Sequence, residues 1–105
     1  MALTRQFKDT VQARAGRDSA FREALLREAF EALLADEVDT GKAMLRDYIN
    51  ATVGFERLGV VTKTSPKSLM RMFGPRGNPQ ARNLFAVISQ LQKQTGVRLK
   101  VRASA

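Results

Sequence analysis

The sequence predicts an all-α fold, a helical bundle ending in a short extended segment. Three observations lead there. Apolar residues recur at helical spacing through most of the 105 residues. Ser65-Pro66 and Asn78-Pro79 each pair a capping residue with a proline, which is a helix-start signal. Only beyond Gly96 does the apolar period fall to two, as in a strand.

Leu3, Phe7 and Val11 recur at i, i+4, i+8, and Gly16 reads as the C-cap of that first helix. Asp18 or Ser19 caps the next, whose apolar side is Phe21, Leu25, Leu26, Ala29, Phe30, Leu33 and Leu34. Its other face permits ion pairs four residues apart, such as Arg27 with Glu31. A third helix starts after Asp39 and buries Met44, Leu45, Tyr48 and Ile49. A short helix over 54–62 follows, then a tight turn at Lys63 and Thr64. Ser65 caps a helix with Pro66 at its first position, running to about Phe73. Gly74-Pro75-Arg76-Gly77 breaks it. Asn78-Pro79 starts the last helix, which buries Leu84, Phe85, Val87, Ile88 and Leu91 and stops near Gly96. Val97, Leu99 and Val101 alternate with Arg98, Lys100 and Arg102 in a short strand. Residues 1–38 read as an N-terminal helical extension and residues 39–105 as a helix-turn-helix region, within one compact domain.

Composition removes several kinds of chemistry. There is no cysteine and no histidine, hence no disulfide, no thiolate nucleophile and no imidazole base or metal ligand. The pair Glu28 and Glu31 lacks the histidine of a helical carboxylate metal site. Gly74-Pro75-Arg76-Gly77 lacks the pattern and lysine of a phosphate-binding loop. The expectation is a binding protein rather than an enzyme, without cofactor or metal. No apolar run is long enough to span a bilayer, and the N-terminus does not read as a signal peptide, so the expected setting is the cytoplasm, away from membranes.

The net charge of +8 is segregated. Up to Val53 there are eight Lys/Arg against nine Asp/Glu; from Gly54 onward there are ten against one, Glu56. Interspersed charge serves solubility, whereas segregation of one sign marks a surface for a polyanion. The basic half lacks clustered exposed aromatics for stacking single-stranded bases, since Phe55, Phe73 and Phe85 read as core. Duplex DNA is therefore the expected polyanion.

Residues 55–73 have the internal logic of a helix-turn-helix. The first helix must present a tiny residue where the second crosses it, and Gly59 supplies it, with Leu58 beside it in the core. On the second helix Leu69, Met72 and Phe73 fall on one side. Pro66, Lys67, Ser68, Met70 and Arg71 are left to face outward, toward the base edges of a major groove. Arg76, Asn78 and Arg82 follow in the loop and next helix start, placed for phosphates; Asn78 serves as a cap, a phosphate ligand or both. Arg98, Lys100 and Arg102 either join that contact or keep an exposed strand soluble.

The runs Gly54-Phe55-Glu56-Arg57-Leu58-Gly59, Ser65-Pro66-Lys67-Ser68-Leu69-Met70-Arg71-Met72-Phe73-Gly74-Pro75 and Gly77-Asn78-Pro79 resemble the helix-turn-helix of addiction-module antidote proteins. These are HigA-type antitoxins related to the Cro/repressor (XRE) regulators. The resemblance covers about residues 39–99. It departs at Lys63, where such turns often hold glycine, and at Thr64, where an aliphatic residue is usual. The resemblance implies a homodimeric repressor on a palindromic operator, contacting DNA through Lys63, Thr64, Ser65, Pro66, Lys67, Ser68, Met70, Arg71, Arg76, Asn78 and Arg82. It also implies a cognate toxin as protein partner. The acidic residues Glu23, Glu28, Glu31 and Glu37 or the edge of the C-terminal strand would be its docking face. A stand-alone transcription factor without a toxin, and a protein-interaction module in which DNA binding is secondary, are the alternatives. The dimer forms either through the Val97-Leu99-Val101 strand or through the helix spanning 21–34.

Overall fold

The computed structural model of the chain describes residue 11 and residues 13–105. All regular secondary structure among them is helical, as the periodicity predicts. After a helical segment that reaches residue 17 come α1 (Ser19–Leu34), α2 (Val38–Ala51), α3 (Phe55–Thr62), α4 (Pro66–Met72) and α5 (Ala81–Thr95). No described helix is long and apolar enough to cross a membrane.

Local chemistry starts and stops these helices. Asp18 caps α1, its carboxylate accepting from the Phe21 N–H at 3.1 Å. That N–H is the main cause, with the Arg14 guanidinium adding to it, of a carboxyl pKa held below the ordinary 3.8. α1 ends at Ala35, and Asp36 takes a positive φ of 63° to turn the chain into α2. Gly41 lets α1 and α2 approach closely, because a Cβ there would lie 2.7 Å from a Leu33 methyl. Gly96 ends α5 in the left-handed region.

One core joins all five helices. Leu26 and Ala29 of α1 meet Leu45, Tyr48 and Ile49 of α2, and the cluster continues through Phe55 and Leu58, Leu69 and Phe73, then Val87 and Leu91. The Tyr48 hydroxyl donates to Thr95 Oγ1 at 2.9 Å, which donates to the Leu91 carbonyl at 2.7 Å, tying α2 to α5. Burial raises the Tyr48 pKa above 10.0.

Several sequence expectations are corrected. Gly16 is helical rather than a C-cap, and the turn continues to residue 17. α2 begins at Val38, slightly earlier than expected. Leu34 is exposed because it lies three and seven residues from Glu31 and Arg27, on the solvent face. Phe85 is also exposed, being about 100° round α5 from the inward line of Ile88, Leu91 and the partly buried Leu84. Its ring instead leans edge-on against Phe30, with centroids 6.3 Å apart. The tail forms no strand among the described residues, since no neighbouring strand offers it a ladder. Its alternation still has a consequence: Val97 and Leu99 pack on the core while Arg98 and Lys100 stay exposed, and the Gln92 amide oxygen accepts from the Leu99 N–H at 2.8 Å. The apolar residues Leu3 and Phe7 lie outside the described residues.

Candidate nucleic-acid interface

The crossing of α3 and α4 is set by three residues in sequence. Gly59 lies under the turn, where a Cβ would come within 2.7 Å of the Thr64 carbonyl oxygen and 3.3 Å of Pro66 Cδ. Lys63 terminates α3 in the left-handed region, at φ 55° and ψ 40°. A non-glycine residue there is strained by about 1 kcal/mol, so this lysine performs the turn usually given to glycine. The Thr64 N–H then donates back to the Gly59 carbonyl at 3.0 Å, closing the turn.

Ser65 caps α4 as expected. Its hydroxyl oxygen accepts from the Ser68 N–H at 3.1 Å and donates to Ser68 Oγ at 2.9 Å. Pro66 occupies the first helical position. It is half-buried against Gly59 rather than outward-facing, which corrects the sequence reading: the close crossing that needs a glycine is filled by the proline ring. Leu69 and Phe73 are 1% exposed and anchor the inner side of α4, Phe73 packing on the ring of Phe55 at 6.5 Å. With those two fixed inward, Lys67, Ser68, Met70 and Arg71 are all exposed. Lys63 and Ser65 are exposed beside them, and Thr64 is half-buried.

Asn78 does not cap α5. The helix starts at Ala81 after Gln80, which is still extended, and no side chain caps it. The loop uses its residues differently: Gly77 folds back so closely that a Cβ would overlap the carbonyl oxygens of Arg71 and Met72. Asn78 and Pro79 instead stay in the loop, and the helix begins after Gln80. Asn78 therefore stands exposed in the loop, with Arg76 before it and Arg82 in the first turn of α5. A concavity of about 390 Å³ opens between α4 and the start of α5, lined in part by Ser68, Arg71, Arg76, Asn78, Gln80 and Asn83. It brings together four of the sequence-predicted residues and adds Gln80 and Asn83, which sequence reasoning missed. No acidic residue among the described ones lines it.

Two further residues were missed. Lys42 on α2 is 3% exposed and donates to the Gly74 and Gly77 carbonyls at 3.0 and 2.7 Å. Arg46, one turn on, donates to the Phe73 carbonyl at 3.4 Å. The available signal was register: Lys42 sits three and seven residues before Leu45 and Ile49, in line with the buried stripe.

Comparisons with known protein families, with curated proteins and with solved structures returned no match.

Proposed function

We propose that this chain is a sequence-specific duplex-DNA-binding regulator, a repressor whose reading helix is α4. The observation that carries the reading is the solvent face of α4: Lys67, Ser68, Met70 and Arg71 are exposed together because Leu69 and Phe73 lock the opposite face into the core. That face lies in the half of the chain with ten cations and one acid. A helix entering the major groove needs such a ridge, with a rigid crossing helix behind it. Arg71 and Lys67 suit guanine O6 and N7, Ser68 can donate or accept, and Met70 offers apolar contact to a thymine methyl. Arg76, Asn78 and Arg82 take backbone phosphates, which set register and affinity rather than sequence choice. Lys63, at the turn, adds a further phosphate charge.

One reading helix spans few base pairs, so the regulator acts as a homodimer on a palindromic operator, with α4 helices about 34 Å apart. The resemblance to addiction-module antidote proteins extends the proposal to autorepression and to a basic toxin partner. Glu23, Glu28, Glu31 and Glu37 are all exposed for such a partner. Co-purification with the product of the adjacent gene tests that extension separately from DNA binding.

The primary experiment selects duplex sequences from a random pool and compares the selected duplex with scrambled duplex and with single-stranded RNA over a range of salt. Tighter binding of the selected duplex, as a dimer by light scattering, is expected. Equal binding of all three, or a preference for RNA, overturns the reading.

A further inference from the structure

Resting on the proposed DNA-binding reading, we infer that Lys42 is a positioning residue for the DNA contact, a clamp through which α2 holds the loop that carries Arg76. Beyond Met72, the last helical residue of α4, the loop turns the carbonyls of Gly74 and Gly77 toward α2. An ammonium group from that distant helix enters between them. Lys42 Nζ has three protons; the carbonyl oxygens of Gly74 and Gly77 accept two, and the Asp39 carboxylate lies 3.6 Å away for the third. Asp39 is almost wholly exposed while Lys42 is buried, so the charge is taken out of water chiefly by the two carbonyls.

Burying an ammonium is unfavourable unless its donors are all used. An apolar side chain of similar length would fill the space but take this donor from the Gly77 carbonyl and leave the Gly74 carbonyl with the Gly77 N–H alone. The ammonium therefore specifies where the loop lies. Gly74 and Gly77 bracket Arg76, and both of their carbonyls point at one nitrogen, so the exposed Arg76 side chain starts from a fixed stretch of backbone. Gly77 contributes from the other side, because only a residue without Cβ can lie against the Arg71 and Met72 carbonyls. The clamp thus sets the distance between Arg71 on α4 and Arg76 in the loop, the two cations of the concavity.

The test is a double-mutant cycle of Lys42→Met and Arg76→Ala on the selected duplex, with salt dependence. Wild-type binding is measured first; if the wild type binds no duplex, the DNA reading fails and the clamp is not what failed. Given binding, Arg76→Ala should lower the slope of log K against log salt by about 0.9, one phosphate contact. Lys42→Met, with helical content unchanged, should lower the slope by the same amount and weaken binding by about tenfold. The double variant should be no weaker than the weaker single one, since both remove the same contact. Additive losses, or wild-type binding and slope in Lys42→Met, overturn the inference. Should methionine at 42 cost the fold, the Lys42 ammonium resonance of the wild-type chain decides. A slowly exchanging signal in the DNA complex supports the clamp, and a solvent-averaged one overturns it.

Discussion

The two halves of the chain contribute to one core but use charge in opposite ways. Before Val53, Leu26, Leu45, Tyr48 and Ile49 are fully buried; after it, Leu58, Leu69, Phe73 and Leu91 are. Yet every ion pair among the described residues lies in the first half: Arg14 with Asp18, Arg27 with Glu31, Lys42 with Asp39. The first half neutralises itself. The second leaves its cations exposed to one another with only Glu56 among them. Unpaired like charges destabilise a compact state through repulsion. Equal apolar burial with unequal charge balance therefore separates what holds the molecule together from what is held ready for a ligand of opposite sign.

The largest expected effects test whether the core is shared. Leu26→Ala in α1 and Leu91→Ala in α5 should each cost about 2–5 kcal/mol of folding stability. Because both side chains belong to the same cluster, each should shift a single cooperative unfolding transition, followed by circular dichroism in denaturant. Two transitions, one sensitive to each substitution, would break the comparison into two independently folding parts.

Next in size are the cations. Arg71→Ala should cost about 1–3 kcal/mol on the selected duplex and relax preference at one base position, with little change in stability, since Arg71 is exposed and makes no ion pair among the described residues. Equal losses on selected and scrambled duplex would make Arg71 a phosphate contact. In the first half, Arg27→Ala should leave DNA binding unchanged, its exposed pair with Glu31 being worth little.

Lys63 joins both sides of the comparison, as a strained backbone position that also carries charge. Lys63→Gly removes a left-handed lysine at φ 55°. It should stabilise the fold by up to about 1 kcal/mol while weakening DNA binding at low salt. A stabilised variant with undiminished affinity would show that the lysine is not retained for DNA.

What could be read from sequence divides by range. The α3–turn–α4 unit was legible because its signals are local: Gly59, Ser65 and Pro66 act within a few residues of where they stand. The segment from Gly74 to Gln80 was not, because Lys42, 32 and 35 residues away from its two acceptors, decides how that loop runs. Asn78-Pro79 carries a sound local start signal, yet the helix starts at Ala81, after Gln80. The tail shows the same limit. Alternation correctly marks Val97 and Leu99 as touching the core but not Val101, which is exposed, and a strand also needs an edge to pair with, about which periodicity says nothing. At the interface, Lys67, Ser68, Met70 and Arg71 followed from helical register, whereas Gln80 and Asn83 enter the concavity only once the loop has folded back.

The smallest effects concern two helix caps, one in each half. Asp18 caps α1 with a carboxylate and Ser65 caps α4 with a hydroxyl, each accepting an N–H three residues on at 3.1 Å. Asp18 has its pKa lowered below 3.8 in the folded chain, chiefly by the Phe21 N–H. The folded state therefore binds this proton less readily than the unfolded state. The stabilisation is fully present above the unfolded pKa and is lost as pH falls through the folded one. Asp18→Asn removes that titration while keeping an oxygen that can cap. The variant should lose less melting temperature than wild type between about pH 5 and about pH 2; parallel losses would mean that Asp18 contributes no pH dependence. Ser65 has no charge to lose, and its neutrality matters for a different reason. Ser65→Asp should retain the cap, since aspartate is as good an N-cap as serine, and should leave the melting temperature near that of wild type. It would, however, place a negative charge at the exposed start of α4, the proposed reading helix, beside Lys67 and, in the proposed complex, facing phosphates. A drop in duplex affinity that persists across selected and scrambled sequences, with stability unchanged, is the expected result. Unchanged affinity would mean that the start of α4 stands away from the DNA, leaving the neutral cap of the basic half without an electrostatic reason.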